Sequence, residues 1–192
     1  MDTNINIDSF IAEMTRNRGW VEDNKQHGFV LVELFASDGS LKDMQFTNNL
    51  ITDSGDLYEA TRIIAGVSPA APSDATKYNG MKLGTGTTAA AKNGAGAALV
   101  TYLSASNVAF DATYPQTSNL GAGLGVTAVY KTTWVAGVAT NAALTEAVIV
   151  NDQATNATST AGNTGSRVVF GAVNKGASDV LAITWSWKLL GA

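Results

Sequence analysis

The sequence predicts a mainly β protein: an antiparallel β-sandwich, immunoglobulin-like or jelly-roll-like, with a short N-terminal helical arm and one further helix near 54–65. The first reason is an alternation near the C-terminus, where Leu181, Ile183, Trp185, Trp187 and Leu189 are separated by small or polar residues. Only an extended backbone places every second side chain on one face. The second reason is composition: after residue 66, Ala, Thr, Gly and Asn dominate and Glu146 is the only glutamate, which is typical of strands and turns.

The sequence predicts an N-terminal arm over residues 1–28 and a single β-sandwich domain over residues 29–192, with the helix 54–65 inserted in that domain. Asp8 can cap a helix from Ser9 to Arg18, and Gly19 can close it. Phe10, Ile11 and Met14 form a narrow apolar stripe on that helix. A helix of about ten residues is marginal alone in water, so we expect it to dock on its own domain or on a neighbour.

A hairpin and the second helix follow the arm. The apolar run Phe29 to Ala36 and the run Leu41 to Phe46 flank a turn that contains Asp38 and Gly39, a strong hairpin signal. Thr52 and Asp53 then offer an N-cap for the helix Ser54 to Ala65. Acidic residues in its first turns and a basic residue in its last turn match the helix dipole.

The rest of the chain predicts strands separated by polar loops. We place strands at Met81 to Gly84, Ala97 to Leu103, Leu124 to Val135, Ala143 to Asn151, Arg167 to Val173 and Val180 to Leu190. Several short strands with turn-rich loops favour a sandwich or a jelly roll.

Composition excludes several classes of protein. Residues 1–60 hold 11 acids and 4 bases, a net charge of −7, and the basic residues behind them are spread singly, so we expect no nucleic-acid partner. The sequence contains no run of 18 apolar residues, so we expect no membrane-spanning helix, and the N-terminus shows no secretory signal. Cysteine is absent, so disulfides and thiolate metal sites are excluded.

Residues that carry chemistry are few. His27 is the only histidine and lies in a polar stretch, which is typical of a solvated side chain. The pair Gly84 and Gly86 lacks the third glycine or the Gly-Lys-Ser/Thr that a phosphate loop needs, so we interpret it as a place of close backbone approach. Glycoside hydrolysis needs two acids that face one cleft, which the sequence alone cannot show for the acid pairs Glu22/Asp23, Asp38/Asp43 and Asp53/Asp56. A calcium site could use oxygen ligands from Asn151, Asp152 and Asn156, but their spacing does not match an EF-hand. We therefore predict no catalytic residue, no cofactor, no metal and no small-molecule substrate.

Two further features have a structural and a functional interpretation. Trp185 and Trp187 can form a carbohydrate-stacking platform, but regular alternation favours a place in the core. Glu146, between apolar neighbours, predicts an ion pair with Arg167 on an adjacent strand. If this hypothesis holds, exchanging the two charges together should restore folding.

The order of several short motifs resembles small virion structural proteins of tailed bacteriophages. The motifs are Asn49-Leu50-Ile51-Thr52, Met81 to Thr88, Trp134, Thr145-Glu146-Ala147, Asn151, Arg167, Phe170, Asn174-Lys175-Gly176, Asp179 and the alternation Leu181, Ile183, Trp185. The resemblance covers roughly residues 29–190 and implies an assembly role without catalysis, in a virion assembled in the host cytoplasm.

The arm favours one role within that family, a head decoration or cement protein. Such a protein binds the assembled major capsid protein, associates with copies of itself and cross-links the shell by avidity. Phe10, Ile11, Met14 and Trp20 are the apolar groups that we expect to bind the partner. The alternatives are a tail, fibre or baseplate-associated protein, or a carbohydrate-binding β-sandwich module.

Overall fold

The computed structural model describes residues 28–65, 77–119 and 126–189. These residues form nine strands, one α-helix and two single-turn 3₁₀ helices at Gly94–Ala97 and Ala161–Asn163. The elements in chain order are β1 (Gly28–Phe35), β2 (Leu41–Ile51), α1 (Asp53–Ala65), β3 (Gly80–Gly84), β4 (Val108–Ala109), β5 (Gln116–Asn119), β6 (Val126–Trp134), β7 (Asn141–Val150), β8 (Thr164–Lys175) and β9 (Val180–Leu189).

The nine strands form one antiparallel sheet in the order β4-β3-β7-β8-β2-β1-β9-β6-β5. The sheet curls into a half-barrel, because the chain just after β4 returns to β6 near the opposite edge. There the backbone N–H of Asp111 donates to the carbonyl of Lys131 at 2.9 Å, and the Asp111 carboxylate accepts from the backbone and hydroxyl of Thr133. The prediction of a mainly β, antiparallel fold is confirmed.

The sheet has two halves that meet along a short seam. Strands β1, β2, β5, β6 and β9 make the tryptophan half, and strands β3, β4, β7 and β8 make the charged half. Among the described strands, the β-ladder between the halves consists of two residue pairs, where the end of β2 pairs with β8: Leu50 with Arg167 and Ile51 with Ser166. The core lies in the curl between them.

Large apolar side chains from the tryptophan half fill this core. Trp134, Trp185 and Trp187 are fully or almost fully buried, with Leu181 and Ile183 beside them. The strand expected from the alternation is present, but it is buried on both faces up to Trp187, because the intervening Ala182, Thr184 and Ser186 are only 6%, 3% and 3% exposed. The indole N–H of Trp134 donates to the carbonyl of Ser106 at 2.7 Å.

The predicted hairpin and the predicted helix are both present. β1 and β2 pair antiparallel, and Gly39 in the connecting turn has φ +83°, a conformation that glycine adopts without strain. The side chain of Thr52 accepts the backbone N–H of Gly55 at 3.2 Å, so Thr52 caps α1 and the helix begins at Asp53.

The strand predicted at Ala97 to Leu103 is wrong. Outside the short 3₁₀ helix, this segment has a single bridge, between Gly84 and Tyr102. The reason is that the backbone N–H groups of Val100 and Thr101 donate to the side chain of Glu146 instead of to a neighbouring strand. The sequence also gave no signal for β4 and β5, which are two and four residues long.

The other predicted strands match β3 and β6 to β9 within a few residues. Val126, at the first position of β6, is exposed. Residues 1–27, which include the predicted helix Ser9 to Arg18, lie outside the described residues, and β1 begins at Gly28.

Candidate functional site

The most developed polar site is the ion pair of Glu146 on β7 and Arg167 on β8. Both side chains are fully buried. The guanidinium donates to one carboxylate oxygen, Oε2 of Glu146, from Nη2 at 2.7 Å and from Nε at 3.2 Å. The strands pair Glu146 with Val169 and Val148 with Arg167, so the two charges lie diagonally across the ladder. The ion pair expected from the sequence is thus present.

Backbone groups from one loop complete the hydrogen bonds of Glu146. Its Oε1 accepts the N–H groups of Gly86 at 2.9 Å and of Thr101 at 2.8 Å, and its Oε2 accepts the N–H of Val100 at 3.1 Å. A carboxylate offers about four lone-pair positions. With five donors around it, this carboxylate has no acceptor position left for a substrate proton, so it is unsuited to general-base chemistry.

The two glycines predicted to allow close backbone approach do so here. A Cβ on Gly84 would lie 2.4 Å from the carbonyl oxygen of Thr101 and 2.5 Å from Oε1 of Glu146. A Cβ on Gly86 would lie 2.6 Å from the same Oε1. The glycine pair therefore makes room for the buried carboxylate, which is a packing role.

Arg167 anchors the other side of the same loop. Its Nη1 donates to the carbonyl of Gly96 at 3.0 Å, and its Nη2 donates to the carbonyl of Thr88 at 2.8 Å. We call residues 85–101 the anchored loop. An ion pair buried with its hydrogen bonds satisfied avoids most of the penalty of an isolated buried charge. The pair thus acts as an internal attachment point for a segment that has almost no sheet pairing of its own.

A second fully buried cation, Lys82 on β3, serves another loop. Its Nζ donates to the carbonyl of Ala157 at 3.1 Å and is in ion-pair contact with Oδ1 of Asp152 at 3.0 Å, without hydrogen-bond geometry at that oxygen. The Tyr102 ring lies 5.9 Å from the same Nζ. Lys82 therefore holds the loop after β7 against β3.

A third buried cation, Lys175, closes the turn between β8 and β9. Its Nζ donates to the carbonyls of Asp179 at 2.7 Å and of Val135 at 3.2 Å. Burial lowers the pKa of the Lys175 ammonium below its usual range. The Asp179 carboxylate accepts from Lys42 at 2.6 Å and from the backbone of Gly176 at 2.8 Å, and these hydrogen bonds lower the pKa of Asp179, that from Lys42 most.

The structure describes only some of the other residues proposed from the sequence. Phe10, Ile11, Met14, Trp20 and His27 lie outside the described residues. Trp185 and Trp187 are 0% and 2% exposed, so the core interpretation is confirmed and these rings form no accessible stacking platform.

Glu22 and Asp23 lie outside the described residues, and other polar residues proposed from the sequence bind other parts of the chain. Asp56 on α1 pairs with Lys92, and Asp53 accepts from Asn93 at 3.2 Å, so the start of the helix holds the anchored loop. Asp152 accepts from Asn163 at 3.1 Å, and Asn156 accepts from Tyr102 and from the backbone of Ala105. Within the described ranges, no group of three His, Cys, Asp or Glu is placed to hold a metal ion.

Sequence reasoning missed the buried lysines. Lys82 lies between Met81 and Leu83 in a strand that is buried at every position, and that apolar surrounding was the available signal. Lys175 had no comparable signal, because its partners lie in turns.

Comparison with family models, with curated proteins and with solved structures found no match to this chain. No helix in the described parts of the chain has the length and apolarity needed to cross a bilayer.

Proposed function

We propose that this chain is a non-enzymatic structural protein of a tailed-bacteriophage virion, and specifically a head decoration protein. In this role it binds the assembled major capsid protein and associates with copies of itself. The proposal rests on the resemblance of its strand and turn motifs, and on the use that the fold makes of its interior charges.

The observation that carries the proposal is the way buried charges are used. Glu146, Arg167, Lys82 and Lys175 are fully buried, and each binds backbone groups of a loop or turn. Catalytic groups need a partly open cleft and a free proton position, whereas these groups are buried and bound by the chain itself. Such a construction favours a rigid body whose outer surfaces bind other proteins.

The sandwich-like arrangement of the sheet and the N-terminal arm are also part of this proposal. Because the two halves share only two residue pairs and enclose the core between them, we interpret the curled sheet as sandwich-like. The N-terminal arm, with its helix from Ser9 to Arg18, would then contact the neighbouring subunits of the shell through Phe10, Ile11, Met14 and Trp20. Many weak contacts repeated over a shell would stabilise it by avidity.

The test is binding of the purified full-length protein to assembled heads that lack decoration. We expect saturable binding at regular surface positions. A variant with Ile11→Asp and Met14→Asp should show lower occupancy, while Leu57→Asp, at an exposed position of α1, should not. Normal occupancy of the double variant would defeat the arm contact. Failure of the wild-type protein to bind any head would defeat the decoration role.

A further inference from the structure

One face of the tryptophan half points away from the tryptophan core, and we call it the outer face. Leu31 marks its centre: it pairs with Phe46 on β2 and with Thr184 on β9, so the three side chains form a row across the strands. Phe29 lies two positions away on the same face, and its ring stacks on that of Phe46 at 5.2 Å. Phe29 and Leu31 belong to neither buried core cluster.

The polarity of β2 is reversed relative to an ordinary half-buried strand. Its positions opposite the core residues Leu34, Val32 and Val30 are polar: Asp43, Gln45 and Thr47. Its apolar side chains, Met44 and Phe46, therefore lie on the outer face. A strand normally turns its apolar side to the covered face. The pattern of β2 indicates that the outer face is also a covered face.

Burial on the outer face falls from one end to the other. Phe29 and Leu31, close to the start of β1, are each 6% exposed, whereas Met44 and Leu41, close to the hairpin turn, are 41% and 47% exposed. Burial also raises the pKa of Glu33, which lies between these two groups. Within the described residues, the main contacts of β1 are with β2 and β9 beside it and with β8. Strands of one sheet lie side by side, so these contacts do not by themselves account for the burial of Leu31 on the outer face.

We propose that residues 1–27 of the same chain dock on the outer face, at the end where β1 begins. Strand β1 begins at Gly28, at the buried end of this face, so residues 1–27 join the sheet at that end. A helix from Ser9 to Arg18 would be about 15 Å long, enough to cross three strands. Its stripe of Phe10, Ile11 and Met14 supplies apolar side chains for the row at Leu31.

The net charge of residues 1–27 is complementary to the charge of the outer face. Residues 1–27 contain 5 acids and 3 bases, a net charge of −2. On the outer face, Lys131 of β6 extends the row of Leu31 and Thr184, and Lys188 of β9 pairs with Thr127 at the end near Gly28. These two lysines outnumber Glu33, the acidic residue that β1 places on the same face. The inference concerns the free chain, in which these side chains lie on the chain's own sheet, whereas in the shell the same side chains would contact neighbouring subunits instead. It therefore goes beyond the proposed function and does not depend on it.

The first experiment is cross-linking in the full-length protein, which has no native cysteine. Cysteine is placed at Met44 on the outer face and, in turn, at Phe10, Ile11 or Met14, and a short bis-maleimide is added. We expect an intramolecular cross-link from at least one arm position. The matched control replaces Leu57 on α1 by cysteine, and we expect little cross-linking there. Cross-linked dimers, equal yields at Met44 and Leu57, or no cross-link would each overturn the proposal.

The second experiment measures protection of the face itself. Thr184→Cys places a thiol at a position that is 3% exposed. In the full-length protein we expect Ile11→Asp with Met14→Asp to speed alkylation of this cysteine at least tenfold. Ala12→Asp, on the opposite side of the predicted helix, should leave the rate unchanged. An unchanged rate in the double variant would overturn docking, whatever the result of binding to heads.

Discussion

The two halves of the sheet are stabilised in different ways. In the tryptophan half, the interior is made of large apolar side chains on long, regular ladders, as where Tyr130 and Val30 flank Trp185. In the charged half, the strands carry Lys82, Glu146, Arg167 and Lys175 at fully buried positions. Those charges bind loops, and the loops are long and poor in regular structure.

This difference shows why the second half needs polar groups inside. A regular strand satisfies its backbone by pairing with its neighbour, but an irregular loop must find other partners. The side chains of Glu146 and Arg167 satisfy five backbone groups of the anchored loop. Both halves therefore contribute apolar side chains to the core, and the charged half in addition fixes the positions of the loops.

The largest effect is expected from Trp185→Ala, which breaks the tryptophan half. Removing a fully buried tryptophan should lower the free energy of unfolding by about 4 kcal/mol, from lost burial and the cavity left behind. Urea denaturation measures this. Leu57→Ala, at a position 68% exposed, is the control and should change stability by less than about 0.5 kcal/mol. A loss below about 1 kcal/mol for Trp185→Ala would contradict the importance of this core.

Breaking the charged half at Arg167→Met should cost about 3 kcal/mol, because Glu146 stays buried without its counter-ion. In this variant, amide hydrogen exchange should be faster in the anchored loop than in β1 and β9.

The structure also changes the expectation for swapping the two charges of Glu146 and Arg167. An arginine at position 146 would face three backbone N–H donors, so the exchange should fail to restore stability. Recovery of wild-type stability would mean that the pair acts alone.

A smaller effect is expected from Gly86→Ala, which narrows the space for the Glu146 carboxylate. Displacing that carboxylate should cost about 2 kcal/mol, as in overpacked interiors. Gly162→Ala is the matched control, because the nearest atom to its added Cβ is 4.0 Å away. Equal thermal midpoints for the two variants would contradict the packing role of the glycine.

The smallest effect is expected from Asp179→Asn, in the turn closed by Lys175, and it depends on pH. The pKa of Asp179 is lowered from 3.8 in the folded chain, so its ionised form stabilises the fold above about pH 4. That contribution is lost as pH falls through the folded pKa, because the unfolded chain then binds the proton first. Asp179→Asn should therefore lower the urea midpoint at pH 7, and the difference from wild type should shrink at pH 3. A constant difference would contradict this.

The sequence predicted elements that depend on local pattern. The hairpin at Gly39, the cap at Thr52 and the alternation that ends in Trp187 each follow from neighbouring residues, and each is present. The pair of Glu146 and Arg167 was also predictable, since charges in apolar strands need partners.

The rest depends on residues distant in the chain. Val100 and Thr101 look strand-forming, but their N–H groups bind Glu146, 46 and 45 residues away. Lys175 is buried because carbonyls of two separate turns converge on it, and no local pattern encodes that. The reversed polarity of β2 could be recognised only once its register with β1 was known.

The most direct test of the central claim, that this is an assembly protein of a virion, is electron microscopy of purified particles that carry a tagged copy of the chain. The account predicts tag density on the head, at regular positions between capsid subunits. Density on the tail, fibre or baseplate would keep the virion role and contradict decoration. Particles without any tag, from cells that make the tagged protein, would contradict the account as a whole.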